Sequence, residues 1–100
     1  MSFTYRLHSL VQQDLEEGYS WYEDKQKGLG ERFITAVEKK IQDIVTHPET
    51  YGSRENKTFR EAKVDRFPYT VTYRILKQKK EIHIGSVYHM SKHPRRKFRK

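Results

Sequence analysis

Lys63, Arg74 and His89 are the side chains of this sequence whose types and placement suit chemistry on phosphates. Arg74 alternates with Thr70 and Thr72 along an extended stretch, and the strands expected on either side bring Lys63 and His89 to the same polar face. Such a concave basic surface would cradle phosphates. A nearby His or Lys would move protons in RNA cleavage, where the 2′-hydroxyl needs a base and the leaving oxygen an acid. The competing reading is a polar sheet face that is only solvated.

Other chemistries find no support. The five histidines, His8, His47, His83, His89 and His93, show no ligand pair at helical spacing. His83 and His89 would stand ~20 Å apart along an extended strand, so no zinc site is expected. His47 follows a helix, where the dipole favours a cation. Cysteine is absent, which removes disulfides, a thiol nucleophile and thiolate metal sites and suits a reducing cytoplasm. There is no Gly-x-Ser-x-Gly elbow and no phosphate-cradling glycine loop. No cofactor is expected.

Periodicity predicts the elements that must position these groups. In Arg66 to Ile75, Tyr69, Val71, Tyr73 and Ile75 share one face and Thr70, Thr72 and Arg74 the other, the pattern of a half-buried strand. Pro68 cannot donate to a ladder, so this strand begins at about Tyr69. Upstream, Phe3, Tyr5 and Leu7 alternate with Thr4 and Arg6 in a short first strand. Ser9 and Gln12 have the spacing of a capping box, and Val11, Leu15, Tyr19 and Tyr22 form a helical stripe to about Lys25, with Gly18 its weak point. A turn at Lys27 to Gly30 leads to the strongest helical stripe, Leu29, Phe33, Val37, Ile41, Ile44 and Val45, which ends at Pro48.

So short a link makes the two helices an antiparallel hairpin. Trp21 lies about 100° round the helix from Tyr22, either at the hairpin seam or partly exposed as a partner anchor. A polar loop from Glu49 to Lys57 precedes a second strand at about Thr58 to Val64. The Lys77 to Lys80 turn separates the central strand from a last one at about Glu81 to His89, where Gly85-Ser86 is a plausible bulge because Val87 is out of phase with Ile82 and Ile84. The order strand, helix, helix, strand, strand, strand predicts an α+β domain, an antiparallel sheet with the helical hairpin packed on one face. It lacks the helix between third and fourth strands that the commonest small RNA-binding sheet requires.

A chain of 100 residues is one domain, with thirteen aromatic residues to supply buried area. We divide it into a domain over residues 1–90 and a basic tail over residues 91–100. That tail holds Lys92, Arg95, Arg96, Lys97, Arg99 and Lys100 and no acid, whereas the first ninety residues carry 15 basic against 13 acidic side chains, so most of the net charge of +8 is terminal. A cationic end attracts nucleic acid or an acidic protein; otherwise it is a solvated, disordered extension. No apolar run could span a bilayer and no signal-peptide pattern opens the chain, so a cytoplasmic protein without membrane contact is expected.

Several segments taken together resemble the RelE/ParE superfamily of toxins from type II toxin–antitoxin systems, in its ParE-like branch. They are Asp14-Leu15 and Trp21-Tyr22 on the first helix, Gly28-Leu29-Gly30-Glu31-Arg32-Phe33 opening the second, and Pro48-Glu49 closing it. Arg66-Phe67-Pro68-Tyr69 with Tyr73-Arg74 and the terminal Val87-Tyr88-His89 complete the set. The resemblance implies the fold already derived, and a toxin neutralised by a cognate antitoxin. Trp21 and Tyr22 on the hairpin are the expected antitoxin contacts, and an acidic antitoxin would complement the basic chain.

The superfamily divides by target. RelE-like members cleave mRNA in the ribosome, and ParE-like members poison DNA gyrase. In this sequence Lys63 stands where a RelE catalytic lysine would fall, while Glu61 replaces the other lysine, Thr70 replaces the strand arginine, and Lys92 stands for the arginine after the last strand. Those replacements remove phosphate-stabilising charge. Tyr88-His89 is similar to the terminal Tyr-His of YoeB-type mRNA interferases, with Glu61 as candidate base. The first expectation is a ParE-like toxin that binds gyrase, using Lys92, Arg95, Arg96 and Lys97 and the open face. The alternatives are a ribosome-dependent mRNA endonuclease using Lys63, Glu61, His89 and Arg74, and a non-toxic binding protein on the same fold.

Overall fold

Apolar spacing of three and four makes two helices and strict alternation makes the strands, and the computed structural model, which describes residues 3–52 and 58–97, joins them in the expected order. Strand β1 (Thr4–Leu7) leads into helices α1 (Val11–Lys25) and α2 (Leu29–Thr46). Strands β2 (Arg60–Lys63), β3 (Tyr69–Leu76) and β4 (Glu81–His89) follow, with 3₁₀ turns at Lys77–Lys79 and Pro94–Arg96. Residues Ser53 to Lys57 of the expected loop and residues 98–100 of the expected tail lie outside the described residues.

The hairpin is built on close approach. A Cβ at Gly18 would stand 2.5 Å from a ring carbon of Phe33, and one at Gly30 would stand 2.8 Å from the Tyr19 carbonyl oxygen. The glycine that weakens α1 as a helix is thus where α2 packs onto it. Gly28 turns the chain with φ of +88°, a conformation costly for other residues. The Glu23 carboxylate then accepts the N–H groups of Gly28 (2.9 Å) and Gly30 (3.0 Å), which satisfies free donors at the start of α2 and places a negative charge at the positive end of its dipole.

Helix α2 carries the core. Phe33, Val37 and Ile44 are fully buried against Val71, Tyr73, Ile82 and Ile84 of the sheet, and each such side chain contributes about 1.5–3 kcal/mol. The Tyr73 hydroxyl donates to the Pro48 carbonyl at 2.6 Å, fastening the end of α2 to the sheet, and burial raises its pKa well above that of a free tyrosine.

The strand order is β1-β4-β3-β2. Pairing is antiparallel through β2, β3 and β4, as expected, but β1 runs parallel to β4, so the sheet is mixed. Only the three strands joined by short turns are bound to alternate; β1 reaches the sheet through a two-helix crossover, which leaves its direction free. The bulge is at Gly85, skipped where Thr72 pairs with Ser86 and Tyr73 with Ile84, and it returns Val87 to the core face of Ile82 and Ile84.

Three local features depart from the sequence reading. The Ser9 capping box does not form: Leu10 stands at the N-cap, and its N–H donates to His8 Nδ1 at 3.1 Å. Val11, Asp14 and Gly18 are the buried residues of α1, with Leu15, Tyr19 and Tyr22 only half-buried, because α2 packs tightest on the glycine side. Strand β2 is shorter than the Thr58 to Val64 stretch, pairing only over Arg60–Lys63.

Candidate functional site

Strand register sorts the candidate residues by face. Tyr69, Val71 and Tyr73 point into the helix-covered core. The opposite face is built in cross-strand rows: Tyr88, Thr70 and Lys63; then Ser86, Thr72 and Glu61; then Arg6, His83 and Arg74, with Phe59 next in line. Adjacent members of a row sit about 4.8 Å apart at the backbone.

This face is less open than expected. Thr70 and Thr72 are buried, as are Ser86, Phe59 and Tyr88. The cover comes partly from the C-terminal segment: Ser86 Oγ donates to the Lys97 carbonyl at 3.5 Å, and Lys97 Nζ lies 3.7 Å from Glu61. The Tyr88 hydroxyl also donates to Glu61 at 3.4 Å, and burial raises its pKa. Thr72 Oγ1 is buried without a hydrogen-bond partner among the described residues. Lys63 stays exposed, and the Arg74 guanidinium lies 5.8 Å from the Phe59 ring centroid.

His89 does not join Lys63. It pairs with Tyr69 and so points to the helix side of the sheet, where its ring meets the Tyr69 ring edge-on at 5.2 Å. The alternation that carries Tyr88 to the polar face carries its neighbour to the other. His89 Nδ1 accepts the N–H groups of Ser91 and Lys92, both at 3.1 Å. Burial, with the nearby charges of Lys92 and His93, lowers its pKa below the usual histidine value. Of the four residues expected for RNA cleavage, Lys63, Glu61 and Arg74 therefore share a face in successive rows, and His89 is separated from them by the sheet.

Lys92, Arg96 and Lys97 of the basic C-terminal segment make contacts within the fold. Arg96 donates to buried Asp14 at 3.1 Å and contacts Glu17 at 3.1 Å, and its guanidinium holds the Glu17 carboxyl below the ordinary carboxylate pKa. Asp14 also accepts the Val87 N–H at 3.1 Å, so one carboxylate ties α1 to β4 and to the C-terminal turn. Asp14 is invisible to hydrophobic patterning; its signs in the sequence are an acid placed between apolar stripe positions and its part in the family resemblance. Lys92 Nζ stands 3.0 Å from the Trp21 ring centroid and Lys25 Nζ 4.3 Å from it. Trp21 is therefore partly exposed, away from the hairpin seam, and Arg95 is exposed.

Tyr22 occupies a different surface. It packs against Phe33 and Phe67 with centroids at 5.2 and 4.9 Å, and it lines a groove of about 1010 Å³ between α2 and the β2–β3 turn. Phe67, Leu29 and Ala36 add apolar surface there, and its charged lining is mixed, with Arg32, Lys39 and Arg66 against Glu31 and Asp65. Among the described residues, no three acidic or histidine side chains gather as a metal site, and no helix is long and apolar enough to cross a membrane.

A family model matches this chain in sequence, and solved structures match it in fold. A family model described as the ParE toxin of type II toxin-antitoxin system, parDE, matches residues 5–94. Among curated proteins none matches. A structure of the chromosomal ParDE toxin–antitoxin system from P. aeruginosa superposes with a TM-score of 0.75 at 15% identity, covering 88% of this chain and 96% of that one. The RelBE2 toxin–antitoxin complex from Mycobacterium tuberculosis gives 0.65 at 24% identity, over 89% and 99%. A mutant of the E. coli toxin RelE in the free state gives 0.59 at 16% identity, over 91% and 86%.

Proposed function

Because the chain belongs to the family of ParE toxins of type II toxin–antitoxin systems, we propose that it arrests growth by binding and inhibiting DNA gyrase in the cytoplasm, and not by cutting RNA. The observation that carries this reading is the placement of His89. A general acid and base for RNA cleavage must reach the same phosphate, yet His89 lies across the sheet from Lys63 and Glu61. Glu61 in turn meets Lys97 and the Tyr88 hydroxyl. What remains exposed suits contact with a partner: Lys63 on the strand face, Arg95 at the C-terminal turn, and Lys92 beside Trp21.

The same reading includes a cognate antitoxin on the hairpin side, with Tyr22 in the α2 groove and Trp21 on the separate, lysine-flanked surface of α1 as contacts. The ParDE and RelBE2 neighbours are toxin–antitoxin systems, which supports such a partner. The apolar lining of the groove suits a partner's apolar side chains, and the net charge of +8 favours an acidic segment.

The test combines purified protein with gyrase and relaxed plasmid. Loss of supercoiling, or accumulation of cleaved plasmid held by gyrase, is the expected result. Normal supercoiling together with codon-positioned cuts in ribosome-bound mRNA would overturn the reading and turn attention to Lys63, Glu61, Arg74 and His89. Normal growth during expression without an antitoxin would favour a non-toxic binding protein.

A further inference from the structure

One row on the helix-free face has no part in the contacts that the C-terminal segment makes. Arg6 pairs with His83 across β1 and β4, His83 pairs with Arg74 across β4 and β3, and the Phe59 ring lies beside Arg74. All four line a single pocket of about 250 Å³. Gly85 also lines it, leaving the space beside the bulge free of a side chain. Arg6 and Arg74 flank His83 on the two neighbouring strands, so two guanidinium groups face the same pocket from opposite sides. Glu81 contacts His83 at 2.7 Å and also feels the charge of Arg6, but among the described residues neither Arg6 nor Arg74 has a carboxylate within ion-pair distance, and Arg74 has none nearby to match it.

We propose that this pocket binds a phosphate group, held between the guanidinium groups of Arg6 and Arg74 with His83 on its floor. Guanidinium forks match the oxygens of a phosphate and form charge-assisted hydrogen bonds with them. Arg74 is half-buried and rests against the buried Phe59 ring, so less rotamer freedom is lost when it binds; Arg6 reaches in from the exposed edge strand. The pocket lies one row beyond Glu61 and two beyond Lys63, and of the residues weighed for RNA cleavage it takes in Arg74 but not Lys63, Glu61 or His89. It requires neither gyrase nor the ribosome.

The experiment is an NMR titration of the full chain with inorganic phosphate, against sodium chloride at matched ionic strength. The expected result is a saturable shift of the Gly85 amide and the His83 ring that chloride does not reproduce. Arg74→Gln and Arg6→Gln should each weaken binding about tenfold or more, the loss typical of a charge-assisted hydrogen bond, while Lys27→Gln in the α1–α2 turn leaves it unchanged. Arg6 is on an exposed strand, so its variant keeps the test open if Arg74→Gln fails to fold. A 5′-phosphorylated dinucleotide compared with the same dinucleotide lacking that phosphate then separates the sources. Equal binding assigns the pocket to a backbone phosphodiester, preference for the phosphorylated form assigns it to a terminal phosphate, and binding of inorganic phosphate alone assigns it to the free ion. Shifts that never saturate, that chloride reproduces, or that persist unchanged in both arginine variants would overturn the proposal.

Discussion

Replacing Asp14 with alanine should unfold more of this protein's stability than any change to its exposed charges. Asp14 is 2% exposed; one carboxylate oxygen accepts the Val87 N–H and the other the Arg96 guanidinium. Alanine leaves the Val87 N–H buried without that acceptor, a loss of about 1–3 kcal/mol. Arg96 is a quarter exposed and keeps Glu17 at 3.1 Å, so its share is small, about 1 kcal/mol or less. The expected total is about 1–4 kcal/mol, on the order of 4–30 °C in Tm for a domain of this size. Asp14→Asn keeps an acceptor for Val87 and loses only the charge, so it should recover the larger part. Urea unfolding measures both variants, and hydrogen exchange at Val87 reads the bond directly. Equal losses in the alanine and asparagine variants, or unchanged Val87 protection in the alanine variant, would refute the assignment of the loss to that bond.

Two further outcomes follow from the packing and the titrating groups. Gly18→Ala gains helix propensity of about 1 kcal/mol but drives a Cβ into the Phe33 ring, an overpacking loss of about 1–3 kcal/mol; thermal unfolding should show a lower Tm, and a higher one would contradict the close approach. His89 has a depressed pKa in the fold, so the unfolded chain takes up its proton first. Its contribution to stability is therefore present above the unfolded value of about 6.5 and lost as pH falls through that value toward the folded one. Ring titration by NMR should place His89 below a free histidine, with the Ser91 and Lys92 amides shifting as Nδ1 ceases to accept; a raised ring pKa would contradict the geometry.

Periodicity was sufficient where burial and local sequence agree. The α2 stripe, the β3 alternation and the Gly85 bulge could all be read because apolar side chains there repeat with the period of their own element. It was insufficient where the deciding partner is distant in sequence. Nothing near Asp14 announces Arg96, nothing near Gly18 announces Phe33, and the direction of β1 depends on a strand that comes after both helices. The polar face was misjudged for the same reason. Thr70 and Thr72 read as solvated, yet Phe59, Tyr88 and the segment reaching Lys97 lie over that face. The His89 error was different in kind: the bulge and the alternation after it decide its side of the sheet, and one residue of register exchanges the faces. The cross-strand row Arg6, His83 and Arg74 needs the parallel pairing of β1 to be known before its members become neighbours.

That parallel pairing also bears on the order in which the protein can come into being. Thr4 lies beside Glu81, and Asp14 reaches a residue 82 positions later, so the beginning of the chain finishes folding only when its end is available. The α1–α2 hairpin rests on local contacts and can collapse early, whereas closing the sheet waits on long-range pairing, which is intrinsically slow. At about 5–20 residues per second of synthesis, the first strand and the core side of α2 wait several seconds for cover. A nascent or truncated chain that ends before β4 has neither the cross-strand row nor the partner of β1 in place. Translation that stops short of β4 would thus yield a chain without its finished surfaces, and the competence of this small protein is decided by its last twenty residues.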